Sequence, residues 1–173
     1  LDPATLPALG DVAPTVEDDS PVFLLHGETA ARVPILVEPD QNAPHERKQA
    51  LILRPQVVLE PDTGYVVVLR DTLRTLDGEP VEVEDAFRAL RDDIPTDSDA
   101  VEAQRGDFEL VNAAIAGAGL DPAEVVQAWS FHTRSEEQVT APLRAMHAVA
   151  ADWPLEGWTI TSDVWDDDGD NRL

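Results

Sequence analysis

The sequence predicts a mainly β fold: an antiparallel β-sandwich with a helical segment inserted before the last strand and a C-terminal helix. Three observations carry this. Tyr65–Leu69 (YVVVL) is a β-branched run bounded by Pro61-Asp62-Thr63-Gly64 before it and Asp77-Gly78 after it, a setting that favours strand over helix. Further short apolar runs recur upstream, separated by Pro, Gly and Asp clusters. The apolar period then changes from two to 3.6 after Thr96, returns to two at Val125, and changes again after Ser135.

Taken in order, residues 1–19 are rich in Pro and Asp and predict an extended entry segment. A sandwich spans 20–134. Pro21–His26 and Arg32–Glu38 read as a hairpin turning near Gly27, with Phe23, Leu25, Val33, Ile35 and Val37 as core candidates. A polar loop over 39–48 precedes a third strand at Ala50–Arg54, where Pro55 requires an edge position or a bulge. Tyr65–Arg70 follows, then Leu73–Val83 folded back around Asp77-Gly78, whose glycine tolerates positive φ. Strands at this spacing suggest an Ig-like sandwich.

The helical insertion covers about 96–124. Thr96-Asp97-Ser98-Asp99 supplies helix-start residues, Val101, Phe108, Val111 and Ile115 form the apolar stripe, and Gly117 and Gly119 supply the stop. Asp121-Pro122 starts a further turn. Val125–His132 (VVQAWSFH) is the last strand, with Val126, Ala128, Ser130 and His132 on one face and Val125, Trp129 and Phe131 mostly on the other. Trp129 and Phe131 are expected in the core. A connecting helix over 135–152 opens on a Ser135…Gln138 capping box and carries Val139, Leu143, Met146 and Ala150, with Pro142 in its first turn or at a kink. Residues 153–173 read as the start of a following domain or an acidic linker.

Composition narrows the partners. The chain has 173 residues and a formal net charge of −23, and Lys48 is its only lysine among twelve basic residues. Such a surface repels phosphate backbones and anionic headgroups, which argues against nucleic acid and membrane surfaces as partners. Salt adaptation and a GC-rich genome account for the acidity equally well. Cysteine is absent, which removes disulfides, thiolate metal sites and thiol nucleophiles. No apolar run approaches the roughly 18 residues that span a bilayer. A first residue of Leu rather than Met is read as a processed or excised piece of a longer protein.

The stretches SPVFLLHGETAARVPILVEPD, ALILRP, LEPDTGYVVVLRDTLRTLDGEPV, AFRALRD and AWSFHT together resemble the bacterial Ig-like domains of surface-layer proteins and secreted enzymes. The matching residues are Pro55, Leu59, Pro61, Thr63, Tyr65, Val67, Asp77, Gly78, Pro80, Trp129, Phe131 and Thr133. Asp62 stands where that pattern commonly has Gly. The likeness covers roughly 10–165, and the order of segments is most similar to the amino-terminal region of large secreted bacterial proteins, some with a C-terminal α/β-hydrolase domain of lipase or esterase type. The resemblance implies an extracellular or cell-surface location and an active site in a neighbouring domain.

The residues agree that this chain lacks a recognisable active site. No serine sits in Gly-x-Ser-x-Gly, the strained elbow that a hydrolase nucleophile requires. Ser130 and His132 share a strand face, without an orienting acid or oxyanion donors. His45-Glu46 lacks the second histidine of a zinc helix. His26-Gly27 reads as a hairpin turn, His147 as a helix-surface residue, and Gly117-Ala118-Gly119 as a helix stop rather than a phosphate loop.

Two candidate sites remain, both towards the carboxy end. Asp163, Asp166, Asp168 and Asp170 crowd hard oxygen ligands that suit Ca2+. Val164 occupies a position where an EF-hand loop built on Gly169 needs an acid, so a solvated acidic linker is the competing reading; melting with calcium and with chelator separates the two. Trp153, Trp158 and Trp165 either form an apolar patch that docks a missing neighbouring domain or second protein chain, or pack over the 135–152 helix. The function expected is a non-catalytic accessory or scaffold domain of a larger secreted or cell-surface protein. The alternative is a surface-layer, filament or adhesion module stiffened by calcium, with an enzyme in its own right a distant third.

Overall fold

The structure, a computed structural model, describes residues 1–45 and 48–154. It divides into two units, Leu1–Glu136 and Glu137 onwards. The first contains six strands, β1 (Val22–His26), β2 (Arg32–Val33), β3 (Ile35–Pro39), β4 (Leu51–Pro55), β5 (Gly64–Arg70) and β6 (Val125–His132). Three helices, α1 (Asp85–Arg91), α2 (Asp99–Glu102) and α3 (Arg105–Gly117), all lie between β5 and β6 in sequence, as the expected insertion requires.

Four strands form an antiparallel sheet in the order β2-β1-β5-β6, and β3 pairs with β4 in a separate two-stranded sheet. The register aligns Leu24 with Val33 and Val67, and Val67 in turn with Trp129. Because side chains alternate across a strand, β1 and β5 supply both faces of the larger sheet. Phe23, Leu25, Val66 and Val68 face α1 and α3, joining Phe87, Phe108 and Ile115 in one apolar cluster. Val22, Leu24, Tyr65 and Val67 face the other way, against Ile35 and Val37 of β3. Burial on both sides explains why VVV in β5 is continuous rather than alternating. Fully burying each such side chain stabilises by roughly 1.5–3 kcal/mol.

The first unit is therefore a helical layer, a four-stranded sheet and a two-stranded sheet. Two antiparallel sheets do share an apolar layer, as expected. The mainly β expectation is corrected, since 34 % of the structure is helical against 22 % strand. The helices begin at Asp85 instead of about 96, because α1 buries Phe87, Ala89 and Leu90.

Other expectations also shift. Pro34 ends β2 and starts β3 in a different sheet, so the second arm of the predicted hairpin splits, because proline cannot donate to the ladder. The Leu73–Val83 arm reduces to a single bridge between Arg74 and Pro80 around Gly78, whose φ is +81°. Residues 1–19 are not simply extended. They form two 3-10 turns, Pro3–Thr5 and Ala13–Val16, and Thr15 is buried with its Oγ1 accepting from Ile35 N–H at 3.2 Å. Asp121 caps the turn before β6, its carboxylate accepting from Ala123 N–H at 2.9 Å. A register shift between Leu69 and Arg70 moves Val125 to the helix-facing side with Ala128, away from Trp129 and Phe131.

The second unit carries α4 (Glu136–Ala151), close to the predicted 135–152. Pro142 lies inside it, beyond the first turn. None of its residues is buried, and Val139, Leu143, Met146 and Val149 are 60–66 % exposed.

Candidate functional site

β6 is the outer strand of the four-stranded sheet. Thr133 N–H donates to the Thr63 carbonyl at 2.9 Å, which fixes the phase of the ladder. Residues 127, 129 and 131 turn their backbone groups towards β5, and Ala128, Ser130 and His132 turn theirs outwards. Among the described residues, none of these three makes a backbone hydrogen bond on the outer side. The strand thus offers a row of donors and acceptors along its open edge.

Both faces beside that edge are accessible. On the face shared with Val67, the cover given by β3 does not reach β6, and Trp129 and Phe131 are 40 % and 38 % exposed. This corrects their expected place in the core: alternation selected the right face, but an edge strand extends past its cover. Phe131 stacks on Tyr65 with ring centroids 5.8 Å apart. On the helix face a groove of 520 Å3 runs beside β6, floored by Phe87, Phe108 and Ala128, with Ser130 on one wall and the carboxylates Glu84 and Asp107 at its rim. Neither carboxylate has an ion-pair partner among the described residues.

The end of β6 is held by hydroxyl bonds. Thr133 Oγ1 accepts from Thr63 N–H at 2.9 Å and donates to the Glu60 carbonyl at 2.6 Å. Tyr65 Oη accepts from Glu60 N–H at 2.9 Å. His26 stands edge-on to Tyr65, its Nδ1 accepting from Glu28 and Thr29 N–H while its Nε2 lies 3.9 Å from Glu60 Oε2. His132 Nε2 lies 3.4 Å from Asp62 Oδ1. His26 locks the predicted hairpin turn, in which Ala30 N–H donates back to the His26 carbonyl at 2.8 Å. Neither histidine bonds a serine hydroxyl, and Ser20 is buried with its hydroxyl on the Val22 carbonyl.

At the other end of the strand, Arg70 pairs with Glu124 and donates to the carbonyls of Asp18 and Ser20, at 2.8 and 3.3 Å. At the end of α2, Glu102 accepts from the Arg105 guanidinium and from Thr96, which lowers its pKa to about 2.

Among the described residues no group of three or more His, Asp or Glu side chains is placed to hold a metal ion. Asp163, Asp166, Asp168 and Asp170 lie outside the described residues, as do Trp158 and Trp165. Trp153 follows the end of α4 and is 55 % exposed. His147 is exposed on α4, as expected. No described helix is long and apolar enough to cross a membrane. Sequence reasoning missed the groove, since its floor joins α1, α3 and β6 across distant segments. The open edge had a signal: VVQAWSFH contains no Lys and no Pro, the residues that commonly protect edges.

No family model, curated protein or solved structure matches the chain.

Proposed function

We propose that the chain is a non-catalytic accessory domain, a scaffold and recognition module of a larger secreted or cell-surface bacterial protein. The observation that carries this reading is β6, an eight-residue strand at a sheet edge that displays Trp129 and Phe131 on one face and borders a groove on the other. Exposed aromatics beside unpaired backbone favour association, and aromatic residues are enriched where partners dock.

The Ig-like assignment rests on the motif residues quoted above and on the two antiparallel sheets packed around Leu24, Ile35, Val37 and Val67. The helical layer departs from that pattern. The resemblance makes an esterase- or lipase-like hydrolase the favoured parent, with its chemistry in a separate domain.

The test is an assay of the purified chain on short-chain nitrophenyl esters, alongside denaturation of the W129A/F131A double variant. The expected result is no hydrolysis above buffer and a variant that folds within about 2 kcal/mol of the parent, the scale of losing half-exposed aromatic contacts. Turnover that persists through successive purification steps, or collapse of the variant, overturns the reading.

A further inference from the structure

The two edges of the four-stranded sheet are built differently. β2 has only two residues, and its Arg32 donates to the Val16 carbonyl at 2.8 Å and pairs with Asp18 at 2.7 Å, so the amino-terminal segment covers that edge. Short strands, charge and cover are the usual protections against stray pairing. Among the described residues, β6 has none of them. It is the longest described strand, and the outward backbone of Ala128, Ser130 and His132 pairs with no described residue.

We propose that β6 accepts an extended segment of a partner protein as a fifth strand, and that this segment alternates apolar and basic residues. Its backbone would bond Ala128, Ser130 and His132. Its basic side chains, all on one face, would lay their stems over Phe87 and Phe108 and carry their charge to Glu84 or Asp107. The apolar side chains, all on the other face, would lie across Trp129 and Phe131. Charge selects the occupant: the chain carries 35 acidic and 12 basic residues, so a second copy brings its own −23 to the contact, whereas a basic segment is drawn in. This inference rests on the recognition-module reading and adds to it the surface and the partner's chemistry.

The experiment follows amide hydrogen exchange of the full chain by NMR, with and without a blocked peptide of about ten residues alternating lysine and valine, slightly longer than a typical strand. A lysine–proline peptide of similar charge, which cannot supply the backbone donors, is the control. Binding of the lysine–valine peptide should slow exchange at Ala128, Ser130 and His132 by about tenfold or more, and the control should not.

Ser130→Pro removes an outward N–H that β5 does not use, so it should fold and lose the protection. Should that variant unfold, E84K/D107K serves instead: these surface changes should shift preference to a glutamate–valine peptide. Absence of edge protection with lysine–valine overturns the proposal. So does protection already present without peptide, whether it grows with protein concentration, as for a second copy, or is independent of it, as for a segment of the same chain. Peptide-induced changes confined to another surface would remove β6 as the site while leaving the recognition module intact. Ester turnover by the chain would remove the module reading itself.

Discussion

Gly27 and Gly64 meet backbone to backbone: Gly27 N–H donates to the Gly64 carbonyl at 2.8 Å, and a Cβ on Gly27 would stand 2.7 Å from that oxygen. The contact continues the β1–β5 ladder into the turn that His26 closes. Gly27→Ala should therefore destabilise the fold by about 1–3 kcal/mol, because a backbone oxygen within a ladder cannot move aside. Gly64→Ala meets the tip of Leu110 at 3.0 Å and His132 Nδ1 in ordinary contact at 3.6 Å, no backbone atom among them, and should cost less. Urea denaturation of the two variants checks the order; equal costs would contradict it.

Two phenylalanines on the same sheet should respond very differently to truncation. Phe23 is fully buried between the sheet and the helices, and Phe23→Ala should cost about 3–5 kcal/mol. Phe131 is 38 % exposed and stacks on one ring, so Phe131→Ala should cost about 1 kcal/mol. Chemical denaturation of each variant measures both; a larger loss at Phe131 would place it in the core after all.

The Thr133 hydroxyl both accepts from Thr63 and donates to Glu60, tying the end of β6 to the turn before β5. Thr133→Val keeps shape and removes both bonds, with an expected loss of about 1–2 kcal/mol. Amide exchange should rise first at Thr63 and at position 133, while Phe23 and Val68 stay protected. Uniform loss of protection would contradict a local role.

Glu102 is held at a pKa of about 2, first by its hydrogen bond from Arg105 and then by those from Thr96. A carboxylate whose folded pKa lies below its unfolded value contributes stability that is complete above the unfolded pKa, roughly 4.3, and is lost as pH falls towards the folded one. Glu102→Gln should therefore weaken the fold at neutral pH, and its deficit should shrink between roughly pH 4 and 2. Carboxyl chemical shifts against pH give the titration directly; a midpoint near 4 would contradict the assignment.

The legible parts of the sequence were those set by local pattern. β6 was readable to the residue because turn signals flank it on both sides: Asp121-Pro122 before it and Ser135 after. β5 and α4 were readable for similar reasons. Pro34 breaks the strand expected over Arg32–Glu38, and where each half pairs depends on partners distant in sequence. α1 was not legible, since the seven residues of Asp85–Arg91, about two turns, are too few for a period to register. Trp129 and Phe131 show the same boundary from the other side. Alternation selected their face correctly, but their exposure depends on how far β3 extends over the sheet, and no local pattern encodes that.

The asymmetry between β2 and β6 limits valency. With β2 covered by the amino-terminal segment, strand addition to this sheet would run from the β6 side alone. Pairing between copies of this chain through that sheet would therefore close at two, since β2 offers no second edge.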